Sequence, residues 1–275
     1  YHKIIKEQIF PNMSFNVDNF IAAPNESLLI DSKVDENGNF QNLYLKWGDA
    51  NVAIFKKGND ITHPILEPIL DDLLVSHDDI KKIQEKIQKW FEETYLSKLD
   101  LSDKLKKFNT KPEERSFIFK IIESQYNFYQ INILDEFKLI DETQRKEIHS
   151  LNFRLGKNVI FNSELIRPEY MKLKFYLWNL YHNENYKIDT YIPKDGNATL
   201  NIQNKLNEEL LTFLGFISKN ELLIRLDIFN EFEKQLFKRE NRGPFSLPMD
   251  LSNLLGIKKD KLISILESRS FNIKE

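Results

Sequence analysis

The spacing of hydrophobic residues divides the chain into a strand-like front and a helical remainder. Near the front, the run SLLIDSKVDENGNFQNLYLKW carries Asn37-Gly38 between two extended stretches, and this pair readily supplies the positive φ angles of a tight hairpin. The run NVAIFKKG predicts a further short strand, and Pro64 and Pro68 interrupt the chain after it. We therefore predict a small antiparallel β element close to the N-terminus.

The middle of the chain shows the three- and four-residue hydrophobic steps of amphipathic helices. In DDIKKIQEKIQKWFEETYLSKL these steps place five apolar residues on one face, Ile80, Ile83, Ile87, Trp90 and Phe91. A second helix is predicted in TKPEERSFIFKIIESQYNFY, where Pro112 suits a first turn. A third opens in DETQRKEIHSL, where Asp141 and Gln144 have the spacing of a capping box, and a fourth runs from Pro168 to near Tyr181.

The C-terminal run PMDLSNLLGIKKDKLISILESRSF predicts two short helices around a turn. Leu251, Leu254 and Leu255 form the apolar face of the first helix, and Gly256 suits a left-handed turn before the second. The turn carries three lysines, Lys258, Lys259 and Lys261. One interpretation is a helix-turn-helix or winged-helix-like element that contacts a phosphate backbone. The other is an antiparallel helical hairpin whose lysines face water.

These elements together predict a mainly α fold with a small antiparallel β element near the N-terminus, which is an α+β class. We expect a helical bundle that ends in the helix-turn-helix or winged-helix-like element. The chain divides into a β-containing segment over residues 1–75, a helical middle domain over 76–200 and a helical C-terminal segment over 201–275. The sequence contains neither an internal repeat nor a low-complexity tract.

Composition indicates a globular protein. The 275 residues are 41% hydrophobic and 29% charged, which is unlike the aromatic-poor composition of disordered chains. Cysteine is absent, which excludes disulfides and thiolate metal sites, and no apolar run approaches the roughly 18 residues that cross a bilayer. We expect a cytoplasmic protein without membrane contact, and the first residue, Tyr1, suggests a piece of a longer chain.

Motifs for catalysis are missing from the sequence. A phosphate-binding P-loop needs Gly-Lys followed by Ser or Thr, but Gly156-Lys157 precedes Asn158. The five histidines lack the spacing that brings two imidazoles onto one metal, and Gly-x-Ser-x-Gly does not occur. We therefore expect no catalytic site, no metal site and no cofactor in this chain.

The run FRLGKNVIFNSELIRPEYMKLKFYLW forms a local basic island in a chain whose net charge is −3. Its basic residues are Arg154, Lys157, Arg167, Lys172 and Lys174. A turn and a helix start carrying fixed cations can bind phosphates, so one interpretation is a clamp on the backbone of a nucleic acid. The other is scaffold, in which the two arginines pair with Glu164 or Asp189 and pin the turn to the helix.

The same run resembles a motif in the C-terminal region of superfamily-two helicases of alphaproteobacteria, which are relatives of the mitochondrial Suv-type RNA helicases. The matched residues are Arg154, Gly156, Phe161, Leu165, Pro168, Leu177 and Trp178, with conservative changes at Lys157, Ile166 and Arg167. Further matches follow in order in KVDENGNF with WGDANVA, in LGFISKNELLIRLDIFNEF and in GPFSLPMDLSNLLGIKKDKLISIL. Departures are Leu155 for an aromatic residue and Asn162 for a proline.

This resemblance implies an accessory region of an ATP-dependent helicase, whose motor binds ATP and Mg²⁺ and is absent from this sequence. It implies that the chain helps to hold RNA or single-stranded DNA, weakly on its own, and docks against the RecA-like motor domains of the same chain. The predicted contact residues are Arg154, Lys157, Arg167, Lys172, Lys174, Lys258, Lys259 and Lys261. The alternative is a protein-interaction scaffold that docks a nuclease or another partner without contacting nucleic acid.

Overall fold

The computed structural model describes residues 17–69, 76–108, 111–130, 133–138, 140–194, 197–202 and 206–271. Contacts group them into two compact units. The first contains the residues through Asp100 together with Phe175–Ile188, and the second contains Leu101–Lys174 together with the residues from Asp189 onward. These bounds differ from the three segments suggested by the sequence, because one helix contributes residues to both units.

The first unit is built on a four-stranded antiparallel sheet in the order β1-β2-β3-β4. The strands are β1 (Leu28–Val34), β2 (Phe40–Trp47), β3 (Ala50–Lys56) and β4 (Ile65–Pro68). The predicted hairpin at Asn37-Gly38 is confirmed, and it has a five-residue connection in which Gly38 has a φ of +82°. The Asp35 carboxylate accepts hydrogen bonds from the backbone N–H groups of Asn37 and Asn39, both at 2.8 Å, and so holds the turn.

Helices accompany this sheet, and their buried faces follow the predicted periodicity. They are α1 (Val17–Ala22), the 3-10 helix Asn25–Ser27, α2 (His77–Phe91), the π-helix Glu92–Leu96 and α3 (Ser97–Leu99). The buried residues of α2 are Ile83, Ile87, Trp90 and Phe91, and Ser76 caps its N-terminus by accepting from Asp79 N. Phe91 lies edge-on to Phe55 of β3 at 5.7 Å between ring centroids. The helix is therefore fixed by aromatic packing as well as by its cap.

The second unit combines two small antiparallel sheets with helices. Its sheets have the orders β5-β7-β6 and β8-β10-β9. The strands are β5 (Asn127–Tyr129), β6 (Phe153–Leu155), β7 (Val159–Asn162), β8 (Thr199–Asn201), β9 (Phe216–Lys219) and β10 (Leu222–Arg225). The helices are α4 (Ser102–Lys106), α5 (Pro112–Glu123), α6 (Ile133–Phe137), α7 (Glu142–Ser150), α8 (Pro168–His182), α9 (Ile188–Tyr191), α10 (Glu208–Leu214), α11 (Leu226–Glu240), α12 (Met249–Leu255) and α13 (Lys259–Glu267).

One hydrophobic core joins the C-terminal helices of the second unit to the β6–β7 hairpin. It contains Val159 and Phe161 of the hairpin, Phe229 and Phe232 of α11, and apolar residues of α12 and α13. The predicted pair of C-terminal helices is present, and Gly256 between them has a φ of +64°. The fold is thus mixed α+β as predicted, with three small antiparallel sheets among the described residues where the sequence indicated one element.

Candidate functional site

The basic turn of the β6–β7 hairpin is docked on α11. The Gly156 backbone approaches Asn230 so closely that an added Cβ would lie 1.8 Å from the Asn230 Oδ1 atom. The neighbouring Asn158 side chain is buried and donates a hydrogen bond to Glu233 Oε2 at 3.1 Å. Glycine at position 156 therefore allows this close approach, since a larger residue would require the Asn230 side chain to move.

An ion pair between the buried Glu233 carboxylate and the partly exposed Arg269 fixes the segment after α13 to the same place. The Glu233 side chain is buried, and its Oε1 atom accepts a hydrogen bond from Arg269 Nη1 at 2.7 Å. Because Asn158 binds the second carboxylate oxygen, both oxygens of Glu233 are engaged. This charge also raises the pKa of Tyr129, for which burial is the larger cause. The hairpin turn, α11 and the residue after α13 thus meet at one carboxylate.

Beside this carboxylate lies a cleft of about 530 Å³, which we call the Lys157 cleft. It is lined by α6, the hairpin turn, α11 and Arg269. Its basic side chains are Lys138, Lys157, Lys234 and Arg269, and its acidic side chains are Asp135, Glu233 and Glu240. Lys138 pairs with Asp135 at 2.9 Å. Lys157, by contrast, is exposed, and its amine lies 4.6 Å from the centre of the Phe237 ring.

A second cleft, of about 670 Å³, lies on the other side of the hairpin, and we call it the Arg145 cleft. Its apolar wall consists of Phe137, Ile148, Phe153, Leu155, Ile160 and Phe161, and its polar rim consists of Glu142, Arg145, Lys146, His149, Arg154 and Asn230. Helix α7 supplies most of the rim, because its exposed face carries these residues at helical spacing. The predicted start of this helix is confirmed, with Asp141 accepting from Thr143 N at 2.8 Å.

Two guanidinium groups at this rim retain donors for a ligand. Arg154 uses its Nη1 atom for the backbone carbonyl oxygens of His149 at 3.3 Å and Phe153 at 3.0 Å, where α7 ends. Arg145 is half-buried, and its Nε atom is shielded from solvent without a hydrogen-bond partner among the residues that the structure describes. Both guanidinium groups line the cleft, so an anion that enters it would meet two cationic side chains.

The two clefts adjoin, because Leu155 and Asn230 line both of them. The lining of the Arg145 cleft contains three basic residues and one carboxylate, with His149 not counted. The lining of the Lys157 cleft contains four basic residues and three carboxylates. The one carboxylate of the Arg145 cleft, Glu142, pairs with Lys146 at 2.9 Å. The hairpin is therefore flanked by two clefts whose linings together carry an excess of positive charge, in a chain whose net charge is −3.

The structure separates the three cations of the predicted clamp. Arg154 lines one cleft and Lys157 lines the other, whereas Arg167 lines neither of these two. Arg167 is exposed and directly precedes α8, beyond the end of β7 that is opposite to the Lys157 turn. Arg154 does not pair with Glu164, which accepts instead from Asn152 Nδ2 at 3.0 Å. The predicted fold-back would bring Arg154, Lys157 and Arg167 onto one face, and this arrangement does not do so.

The two predicted lysines of helix α8 differ in burial. Lys172 is exposed at the surface of the helix. Lys174 is only 1% exposed, and its amine lies 4.8 Å from the centre of the Phe213 ring. A buried ammonium group cannot reach a phosphate, so the prediction that Lys174 contacts nucleic acid needs correcting. Its place on the apolar face of α8 is the physical reason.

The three lysines of the C-terminal turn form a separate group that lines neither cleft. Lys258 and Lys259 are exposed at the start of α13. Lys261 pairs with Glu221 of the β9–β10 turn at 3.1 Å, and Asn220 of that turn donates to the Ser264 carbonyl at 2.7 Å. The β9–β10 hairpin thus braces α13.

The described residues contain neither a metal-binding cluster nor a membrane-spanning helix. Among the described residues, no group of three or more histidine and acidic side chains is arranged to hold a metal ion. No helix in the described ranges is long and apolar enough to cross a membrane.

A scan of protein-family models, a search of curated proteins and a search of solved structures each found no match to this chain. The resemblance to Suv-type helicases therefore rests on the sequence motifs alone.

Sequence reasoning missed several residues that the structure brings to the hairpin, namely Arg145, Lys146, His149, Asn230, Glu233 and Arg269. Arg145, Lys146 and His149 look like the solvated face of an amphipathic helix, and only the position of the hairpin makes them a cleft. Arg269 lies 36 residues from Glu233, and nothing local indicates their pairing. The sequence did contain one signal, which is Gly156, because a glycine within a hairpin commonly marks a close backbone approach.

Proposed function

We propose that this chain is a non-motor accessory region of an ATP-dependent RNA or DNA helicase, which binds a nucleic-acid strand and docks against the motor. The sequence motifs suggest the helicase family, and the two clefts beside the hairpin support strand binding. In this proposal ATP and Mg²⁺ belong to the motor domains, the chain holds no cofactor of its own, and the assembly works in the cytoplasm.

The observation that carries the proposal is the pair of adjoining clefts on the β6–β7 hairpin. Arg145 and Arg154 offer guanidinium donors in one cleft, and Lys157 offers an amine at the mouth of the other. Lys157 pairs with no carboxylate among the described residues, and Arg145 likewise has none. Cations that are not paired with carboxylates and that lie in neighbouring clefts suit the repeated phosphates of a strand.

The second candidate is a scaffold that docks a nuclease or another protein partner. An acidic peptide would also be attracted to these cations, so the charge of the clefts alone does not separate the two candidates. A docking surface of the usual kind would have an apolar centre and a polar rim, and its affinity would depend weakly on salt. Salt dependence therefore separates the two candidates.

The C-terminal helix pair adds a second region to the proposal. We infer that α12, its turn and α13 act as a helix-turn-helix-like element, with the β9–β10 hairpin beside it in the role of a wing. Lys258 and Lys259 are exposed where α13 begins, which is where a phosphate would meet both the side chains and the free backbone N–H groups. Lys261 is already paired with Glu221, so we expect it to contribute less.

The test measures binding of an end-labelled single-stranded oligouridylate by fluorescence anisotropy, at salt concentrations between about 50 and 200 mM. Three phosphate contacts, from Arg145, Arg154 and Lys157, give an expected salt slope of about −2, since each contributes about 0.7 on a single strand. Arg154→Gln and Lys157→Gln should each weaken binding and make the slope shallower by about 0.7.

A matched control is Arg242→Gln, which removes an exposed arginine that lies outside both clefts. We expect this variant to bind as the unchanged chain does. If Arg154→Gln and Lys157→Gln fold normally and yet bind the oligouridylate with unchanged affinity and slope, strand binding at the hairpin is wrong. A partner protein that binds the chain with little salt dependence would then support the scaffold.

A further inference from the structure

The Arg145 cleft has the features of a pocket for a planar apolar group as well as for an anion. The apolar side chains of its lining that reach the surface are Phe137 and Leu155, which are half-buried, whereas Phe153, Ile160 and Phe161 are almost completely buried. The volume of about 670 Å³ lies within the range of roughly 300–1,000 Å³ that small-molecule pockets occupy. Phosphate contacts need only an exposed cation, so the apolar surface of Phe137 and Leu155 suits a ligand that also has an apolar face.

An aromatic ring is available at the edge of this cleft. Phe137 at the end of α6 is half-buried, and it packs against Phe117 at 5.6 Å between ring centroids. This contact supports one side of the Phe137 ring, and the residue also lines the cleft. Aromatic side chains held in this way are the usual platforms on which unstacked bases lie, and such stacking tolerates any base.

Arg145 supplies the complementary polar contact. Its side chain is half-buried, lines the cleft and pairs with no carboxylate among the described residues. A guanidinium group without a carboxylate partner can bind the oxygens of a phosphate group. A ligand that places its planar part against Phe137 and its phosphate on Arg145 would contact both features, and a nucleotide unit has this combination.

We propose that the Arg145 cleft holds one unstacked base of a bound single strand, with the adjacent phosphate on Arg145. The inference rests on the proposed function and deepens it, because it names the part of the strand that enters the site. Binding would then depend on the presence of bases as well as on phosphate number. It would not depend strongly on which base is present, because stacking and apolar contacts read no hydrogen-bond pattern.

The test compares two strands with equal phosphate numbers, an oligothymidylate and an abasic strand of the same length. We expect the oligothymidylate to bind on the order of tenfold more tightly, which is a typical effect of one stacked base. Phe137→Leu should remove most of this difference while the salt slope stays the same. The matched control is Phe119→Leu, since Phe119 is 51% exposed on α5 and lies outside both clefts.

The outcomes separate the inference from the function on which it rests. If both strands bind equally and with a steep salt slope, the chain binds a strand but the base pocket is overturned. If neither strand binds, the proposed function fails and the inference falls with it. Should Phe137→Leu prevent folding, the comparison of the two strands on the unchanged chain still decides the question.

Discussion

Lys174 offers the sharpest test of the structure, because its burial has a measurable consequence for stability. Its side chain is 1% exposed, and its amine has no hydrogen-bond partner among the described residues. This burial lowers the pKa of Lys174 from 10.5 to about 7. Replacing it by methionine keeps the length and the apolar stem of the side chain and removes the amine.

The magnitude follows from the difference between the folded and unfolded pKa values. Each pKa unit is 1.36 kcal/mol, so lowering the pKa of Lys174 from 10.5 to about 7 costs about 5 kcal/mol of stability when the amine must be charged. The Phe213 ring at 4.8 Å offsets part of this by a cation–π contact, which leaves about 3–5 kcal/mol. The unfolded chain holds the proton up to about pH 10.5 and the folded chain only to about pH 7, so the penalty is full below pH 7 and disappears as the pH rises.

The assay is urea unfolding between about pH 7 and pH 10, within the window set by these pKa values. We expect the free energy of unfolding of Lys174→Met to exceed that of the unchanged chain by about 3–5 kcal/mol at the low end and to converge with it at the high end. The control is Lys172→Met, an exposed position on the same helix, which should leave the pH dependence unaltered. Identical pH profiles for Lys174→Met and the unchanged chain would refute the reasoning.

Three further predictions concern the hairpin and the response of the chain to ATP. Gly156→Ala should lower stability by about 1–3 kcal/mol in urea unfolding, because its Cβ would meet Asn230, and the loss should shrink when Asn230→Ala is already present. Arg269→Ala should cost about 2–3 kcal/mol by stranding the buried Glu233 carboxylate, and adding Glu233→Gln should restore part of it; equal costs for the single and double variants would contradict this. The chain should release no phosphate from ATP with RNA present, and turnover that survives repurification would contradict this.

Local signals in the sequence were enough to predict the elements that local chemistry holds. The face of α2 follows from its hydrophobic spacing, and its cap at Ser76 forms with the backbone three residues on. The left-handed turn at Gly256 was likewise predictable, because glycine pays no steric cost there. At Asn37-Gly38 the hairpin was predicted, but its five-residue connection depends on the Asp35 side chain, which turn propensity alone does not reveal.

The second unit was harder to predict because its sheets are made of strands of three or four residues. The run NVIFNS indicates a short extended segment, and β7 lies within it, whereas Phe153–Leu155 is too short to show a period and becomes a strand only by pairing with β7. The burial of Lys174 was hidden for a related reason. Lys172 and Lys174 look alike in the sequence, and only the packing around Phe213 distinguishes a solvated lysine from a buried one.

The hairpin also shows why scaffold and strand-binding interpretations of its turn need not compete. Gly156 and Asn158 are committed to α11, one by close approach to Asn230 and the other by its bond to Glu233. With these two residues docked, Arg154 of β6 lines one cleft and Lys157 of the turn lines the other. A rigid attachment reduces the entropy that these long side chains must lose on meeting a phosphate, so the scaffold contacts are themselves what would make two cations useful for binding.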